Sequence, residues 1–211
     1  MKTLVQYWDQ CDPPEPIASR MQDWKQHHPD WSYQRFERIQ AGKWIGEVYG
    51  DIHKYAFFNL RFPAMQADVF RIAYLQQKGG LWVDAATECL MPVSEWLDPS
   101  VPLTLLRRPH QHPAGVWNGL IHAANANHPL LSEAWKRISN VIINKEEGNI
   151  FDLVGPRLLR HLLQAGNFDQ NVHILQSVDL EKALLIGSSS KIMGTDQHWS
   201  RRQQKESLYI E

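Results

Sequence analysis

The sequence predicts an α/β fold with a mainly parallel central sheet flanked by helices. Three observations carry this. Strand-like and helix-like stretches alternate over the first 85 or so positions, in the order strand, helix, strand, helix, strand. The clearest helix, Phe62 to Lys78, runs through "KGG" straight into the strand "LWVDA". No internal repeat, low-complexity block or linker divides the chain, so residues 1–211 are read as one domain.

The elements follow in order. "TLVQYW", Thr3 to Trp8, is a strand, and "DQCDPPEP" is a loop because its prolines block regular pairing. From Pro16 onward Ile17, Met21 and Trp24 recur with helical spacing, and "WSYQRF" is the second strand. Gly42 to Asp51 reads as loop-like. In the next helix Met65, Val69, Ile72, Ala73 and Gln76 mark one side, and Pro63 suits a first turn. Val101 to Arg108 is a strand, and "NGLIHAANANHP" a strand leading into a short helix. Pro129 to Asn144 and Val154 to Ala165 are helical, and Gly187 to Glu211 is a polar, weakly patterned tail.

Composition narrows the function classes. With 43% hydrophobic and 21% charged residues the chain can bury an ordinary globular core. A formal net charge of -1 gives no reason to expect broad nucleic-acid binding. Two cysteines, Cys11 and Cys89, make neither a disulfide framework nor a paired-thiol zinc site, which points to a reducing compartment. No apolar run has the length of a signal peptide core or a membrane span. The expectation is a cytoplasmic protein, free or resting on a membrane surface.

In "GGLWVDAATECL" an apolar run that suits a buried strand stops on Asp84. Ligands of open α/β sheets bind outside the carboxyl ends of the strands. A carboxylate there can hold a divalent cation, which neutralises a diphosphate. The competing reading is a turn or helix cap, a common use of aspartate. One helix earlier, Asp68 and Arg71 are three residues apart and share a face, among apolar neighbours. Taken alone, that pair reads as a surface ion pair.

Taken together, "ADVFRIAYLQQKGGLWVDA" resembles the core of a sugar-transferase family. The family includes capsular polysaccharide synthesis proteins, initiating mannosyltransferases and glycosylating bacterial toxins. The shared pattern is an Asp-x-x-Arg helix, a Gly-Gly turn and a strand ending in Asp-x-Asp. "VQYWDQCDPPEPI", "WNGLIHAANANHPLL", "VGPRLL" and "QHWS" extend a weaker resemblance over most of the chain. The resemblance implies a single nucleotide-sugar-binding domain of the GT-A type. It implies a hexosyltransferase that moves a sugar from a nucleotide-sugar donor to a glycan or lipid-linked glycan, typically with retention. The setting it implies is bacterial, at the cytoplasmic face of the membrane. By resemblance Asp68 and Arg71 hold hydroxyls of the donor sugar, Trp8 receives the base, Gly80 and Asn118 belong to the donor site, and His198 approaches the phosphates or the metal. Asp84 holds the cation, Mn²⁺ or Mg²⁺.

The chain departs from the pattern at Ala86, where relatives often carry the second aspartate; capsular-synthesis relatives often read Asp-Ala-Thr there. Glu88 is a substitute ligand only if the chain turns. Fully extended, it would lie about 13 Å from Asp84 at ~3.3 Å per residue. The change motivates a second reading, a non-catalytic nucleotide-sugar or glycan-binding protein of the same fold. A third is an assembly partner of a larger synthase. The remaining chemistry is weaker. Ten histidines show no metalloprotease spacing, and neither a glycine-rich phosphate loop nor a Gly-x-Ser-x-Gly elbow is present. Nine tryptophans serve either as core or as stacking platforms.

Overall fold

The computed structural model describes residues 2–108, 115–166, 168, 171–186 and 198–210. Its strands are β1 (Thr3–Tyr7), β2 (Ser32–Phe36), β3 (Gly80–Val83), β4 (Thr87–Cys89), β5 (Leu103–Arg107), β6 (Trp117–Ala123), β7 (Val172–Gln176) and β8 (Leu184–Ile186). Its helices are α1 (Glu15–His27), α2 (Arg38–Tyr49), α3 (Asp51–Phe58), α4 (Pro63–Lys78), α5 (Pro129–Ile143), α6 (Ile150–Leu153), α7 (Pro156–Ala165) and α8 (Trp199–Arg202). Six strands form the central sheet in the order β2-β1-β3-β6-β5-β7, while β4 and β8 pair separately. β6 runs antiparallel to both of its neighbours, and the other five strands share one direction. The sheet is therefore mainly parallel, as the strand–helix alternation predicts.

Period-two alternation sorts each strand between two cores. Val5, Trp82, Leu105 and Ile121 face a layer built from α2, α3, α4, α5 and α7, with Ile45, Phe57, Phe70, Leu131 and Leu158 in the same cluster. Leu4, Leu81, Val83, Leu106 and Leu120 face the other way, toward Trp24 of α1, Cys89 of β4 and Val93. Each fully buried aliphatic or aromatic side chain is worth about 1.5–3 kcal/mol. The second layer is also tied by polar contacts: the Trp24 indole donates to the Thr87 carbonyl at 2.8 Å. His28 links Trp24 O at 2.7 Å through Nδ1 with the Val93 N–H at 2.9 Å through Nε2.

One stretch differs from the sequence reading, and a second shows packing that its composition does not announce. Gly42 to Asp51 is helical, lying mostly in α2 and continuing into α3. Gly42 and Gly46 are contact points where the two helices press together. A Cβ on Gly42 would stand 2.3 Å from the Phe58 ring, and one on Gly46 would stand 2.7 Å from Lys54 Cδ. Glu37 and Gln40 form a reciprocal capping box that starts α2. The second stretch is the polar tail. Its section 187–197 lies outside the described residues. Beyond it, Leu208 and Tyr209 are buried, and Tyr209 bridges to Leu60. The Tyr209 hydroxyl donates to Val141 O and Glu146 O at 3.1 Å each. This segment belongs to the core despite its polar composition.

The α4–β3 unit sets the geometry of everything functional. α4 ends at Gly79, the chain reverses through Gly79 and Gly80, and β3 runs back alongside. Arg71 is eight helical residues before the turn, about 12 Å at 1.5 Å per residue. Asp84 is four strand residues after Gly80, about 13 Å at ~3.3 Å per residue. The two side chains are thus delivered to the same height. Both glycines have positive φ, 68° and 102°. A Cβ on Gly80 would stand 2.9 Å from Thr3 O of β1, and one on Gly79 would stand 2.9 Å from Ala123 O.

Gly80→Ala is accordingly expected to cost at least about 2 kcal/mol, from an unfavourable positive φ and a clash with backbone. For a chain of this size that is a fall in Tm of roughly 4–8 °C. Thermal melting by circular dichroism measures it, and an unchanged Tm would remove the turn from the account of the fold.

Candidate functional site

Because β6 runs opposite to its neighbours, its first residues meet the last residues of β1 and β3 at one edge of the sheet. A cleft of about 450 Å³ opens there. Its lining includes Tyr7, Trp8 and Asp9 at the end of β1, Asp84 to Ala86 after β3, and Val116 to Asn118 at the start of β6. α4 contributes Pro63, Ala64, Ala67, Asp68 and Arg71, and Phe151, Pro156 and Trp199 complete the lining.

Arg71 is the hub. Its side chain is only 2% exposed, and it donates from Nη1 to Asp68 Oδ1 at 2.8 Å and from Nη2 to Asp84 Oδ1 at 2.7 Å. Its guanidinium carbon lies 5.0 Å from the centre of the Trp82 ring, a cation–π contact. Trp82 Nε1 in turn donates to Asp84 Oδ1 at 3.0 Å, and Asn118 Nδ2 donates to Asp68 Oδ1 at 2.9 Å. The pair that reads from sequence as a surface contact is buried, because the flanking Val69, Phe70 and Ile72 are all core residues. Among the described residues these bonds all fall on Oδ1, so Oδ2 is the oxygen each carboxylate offers to a ligand. Glycines make room for it. A Cβ on Gly119 would lie 2.5 Å from Asp84 Oδ2, and one on Gly155 would lie 3.2 Å from Asp68 Oδ2.

One guanidinium facing two carboxylates leaves the cluster with an excess of negative charge. Burial, with the Asp84 charge adding to it, raises Asp68 to about 6 against the lowering effect of Arg71 and the Asn118 hydrogen bond. Asp9 at the cleft wall is also raised, chiefly by burial.

Trp8, Asp68, Arg71, Asp84 and Asn118 are brought together on one cleft, and three other expected site residues are not in its lining. Gly80 sits at the far end of β3 and acts through the turn. The chain does turn at Ala85 and Ala86, since Thr87 N–H donates to Asp84 O at 2.9 Å. Yet Glu88 on β4 faces Arg20, 3.9 Å away, instead of the cleft. His198 caps the short α8, its Nδ1 accepting from Ser200 N–H at 3.3 Å. Its neighbour Trp199 is the residue in the lining, packed on Phe151 with 5.1 Å between ring centres. Asp9, Trp117, Phe151, Pro156 and the two glycines were missed. The signals for several lay beside residues already singled out, Asp9 next to Trp8 and Trp199 next to His198. Phe151 gives no local signal.

Among the described residues no three His, Cys, Asp or Glu side chains converge as a metal site. Asp84 Oδ2 alone fits a divalent cation of the kind that rests on one or two carboxylates and completes its shell with substrate phosphates and water. No helix of the described residues is long and apolar enough to cross a membrane.

The fold is one found in sugar-transferring enzymes. The PaToxG glycosyltransferase superposes with a TM-score of 0.59 at 14% identity, over 78% of this chain and 68% of that one. A glycosyltransferase involved in the glycosylation of the major capsid of PBCV-1 aligns with a TM-score of 0.43 at 10% identity, over 82% and 81%. No curated protein is similar enough to count as a match. The sequence itself is more specific than these distant structures: residues 2–209 match the capsular polysaccharide synthesis protein family, and the chain belongs to it.

The raised Asp68 carboxyl predicts a pH dependence. Its folded value of about 6 exceeds the ordinary 3.8. Stability from this group is therefore fully present below pH 3.8 and lost as pH rises through 6. Ligand binding that needs the ionised carboxylate should run oppositely, falling as pH drops through 6. Binding measured from pH 7.5 to 5 should show that acid limb in wild type and lose it in Asp68→Asn. An identical limb in the variant would assign it to another group.

Proposed function

We propose that the protein transfers a hexosyl residue from a nucleoside-diphosphate sugar to a glycan or lipid-linked glycan during capsular polysaccharide synthesis. The observation that carries this is the Asp68–Arg71–Asp84 cluster, buried in a cleft of about 450 Å³ with Trp8 in the same lining. That volume suits a ligand of nucleotide-sugar size. The two free Oδ2 oxygens accept hydrogen bonds from sugar hydroxyls. Arg71 has five N–H donors and spends two on the carboxylates, leaving Nη hydrogens to donate to the sugar. The base stacks on Trp8, a contact worth about 1–3 kcal/mol. Asp84 would hold a Mn²⁺ or Mg²⁺ ion, which when bound would supply charge neutralisation for the departing diphosphate. The cluster's own excess negative charge makes such an ion, or another cation, necessary beside a diphosphate. Retention at the anomeric carbon, and action at the inner face of the membrane, are part of the proposal through the family.

Ala86 in the cleft lining favours a second reading, binding of a nucleotide sugar without turnover, because a ligand carboxylate is missing there. A mass-spectrometric screen of the purified protein against nucleotide sugars and acceptors, with and without Mn²⁺, separates the two. Product formation supports transfer. Binding without product across the panel supports the second reading.

Two variants test the cluster. Arg71→Lys keeps the charge but cannot span both carboxylates as a fork. It should lower transfer tenfold or more, since each ~1.36 kcal/mol of lost transition-state stabilisation is about tenfold. Asp84→Asn is nearly isosteric, and asparagine forms turns equally well. A turn-only role predicts a silent substitution. The transfer reading predicts severe loss of product and of Mn²⁺-dependent nucleotide binding, with Ala86→Asp shifting metal binding the other way. Wild-type kinetics in a folded Asp84→Asn protein would remove the carboxylate from the mechanism.

A further inference from the structure

We propose that the protein has a second, oxyanion-binding site beside the donor cleft, which receives a negatively charged group of the acceptor. This rests on the transfer reading above. A smaller cleft of about 50 Å³ is lined by Gly115, Val116, Phe151, Pro156, Arg157 and Arg160. Val116, Phe151 and Pro156 also line the larger cleft, so the two share a wall. The shared wall is at the sugar end. Gly155, immediately before Pro156, abuts Asp68 Oδ2, whereas Trp8 follows β1, beyond β3 in the sheet order. Along the sheet edge the sequence of sites is Trp8, then Asp84, then the start of β6 and the second cleft. A donor whose base lies on Trp8 and whose sugar lies on Asp68 and Asp84 therefore presents its far side to the second cleft. An acceptor must approach from there.

The lining gives the chemistry of that acceptor. Arg157 and Arg160 both project from the first half of α7, where the helix dipole also favours an anion. Arg157 is held in place, donating from Nη1 to Asp152 Oδ2 at 2.9 Å and lying 5.5 Å from the centre of the Phe151 ring. Arg160 is less satisfied. Its Nη2 contacts His161 Nε2 at 3.2 Å, and its buried Nε has no hydrogen-bond partner among the described residues. Among the described residues no carboxylate lines this cleft, and with Arg157 paired to Asp152 it is Arg160 that leaves positive charge facing it. Its volume exceeds the ~10–15 Å³ that one water requires, yet is far below that of a drug-sized ligand, about 300 Å³ or more. One phosphoryl or carboxylate group fits. An arginine fork matches a pair of oxygens of either. The acceptor is therefore a sugar bearing an oxyanion, with the accepting hydroxyl in the main cleft and the charged group on Arg160.

The test titrates the intact protein, in the presence of a nucleoside diphosphate, with methyl glucoside, methyl glucuronide and methyl glucoside 6-phosphate, followed by NMR. The neutral glycoside should bind weakest, and the tighter of the two acidic probes identifies the oxyanion as carboxylate or phosphate. Arg160→Gln should weaken the acidic probes about tenfold and leave the neutral one and the nucleoside diphosphate unaffected. Should Arg160→Gln fail to fold, Arg157→Gln carries the same comparison. Equal binding of all three glycosides, or acidic binding unchanged in the variant, overturns the proposal. Loss of nucleoside-diphosphate binding in Arg160→Gln also overturns it, because the arginine would then serve the donor. A wild-type protein that binds the acidic probes but no nucleoside diphosphate defeats the donor reading and leaves the oxyanion site standing.

Discussion

The structure depends on the burial of one guanidinium. Arg71 lies inside the core, against the face of Trp82, with a carboxylate on each side. A buried charge is tolerated only when it is paired and hydrogen-bonded. That constraint runs through the whole α4–β3 unit. The turn must be tight enough to bring helix and strand back level. β3 must pack close to β1, and only glycine allows that approach at position 80. The strand must end at Asp84 and no later. Each requirement concerns stability when considered alone, and together they place two carboxylate oxygens and a cation on the floor of a cleft.

The same arrangement explains the electrostatics. Arg71 donates one hydrogen bond to each carboxylate, so losing either would leave a buried guanidinium N–H without its partner, and a folded protein can be expected to keep both. Keeping both leaves a surplus of negative charge, which raises the Asp68 carboxyl and disposes the site toward hydroxyl donors and cations. Ala86 sharpens the point. With no second carboxylate at the turn, the charged groups of the larger cleft are the Arg71 cluster and Asp9, and the positive groups of the neighbouring cleft lie on α7.

Much of this is legible in the sequence where local chemistry and tertiary role coincide. The Asp-x-x-Arg spacing, the double glycine and the abrupt end of "LWVD" each have a local meaning, and their separation along the chain fixes how they meet. Legibility fails where the same residue type serves two ends. Gly42 and Gly46 look like loop punctuation, but they are helical residues whose missing side chains let α2 and α3 touch. His198 has the chemistry expected of a ligand, yet it caps a helix while the adjacent tryptophan lines the cleft. Phe151, Gly119 and Gly155 owe their roles to neighbours far away in sequence, which the local patterns around the two glycines do not specify and which nothing near Phe151 reports. The polar tail gives no local sign of its packing, because a mostly polar segment can be anchored by two side chains, Leu208 and Tyr209.

The cleft's lining has a consequence for how the molecule is made. Trp8 and Trp199 line the same cavity, and Tyr209 bridges to Leu60, so the binding surface is stitched from segments far apart in the chain. Contacts of such long sequence separation close large loops and are the slow ones to form. The α4–β3 hairpin-like unit, by contrast, is local and can acquire its arginine cluster early. Maturation of the site is therefore ordered in time. The anionic floor comes first, and the aromatic wall at Trp199 arrives only when the late segment docks, so a partly folded chain has its charged cluster before it has the cleft that encloses it.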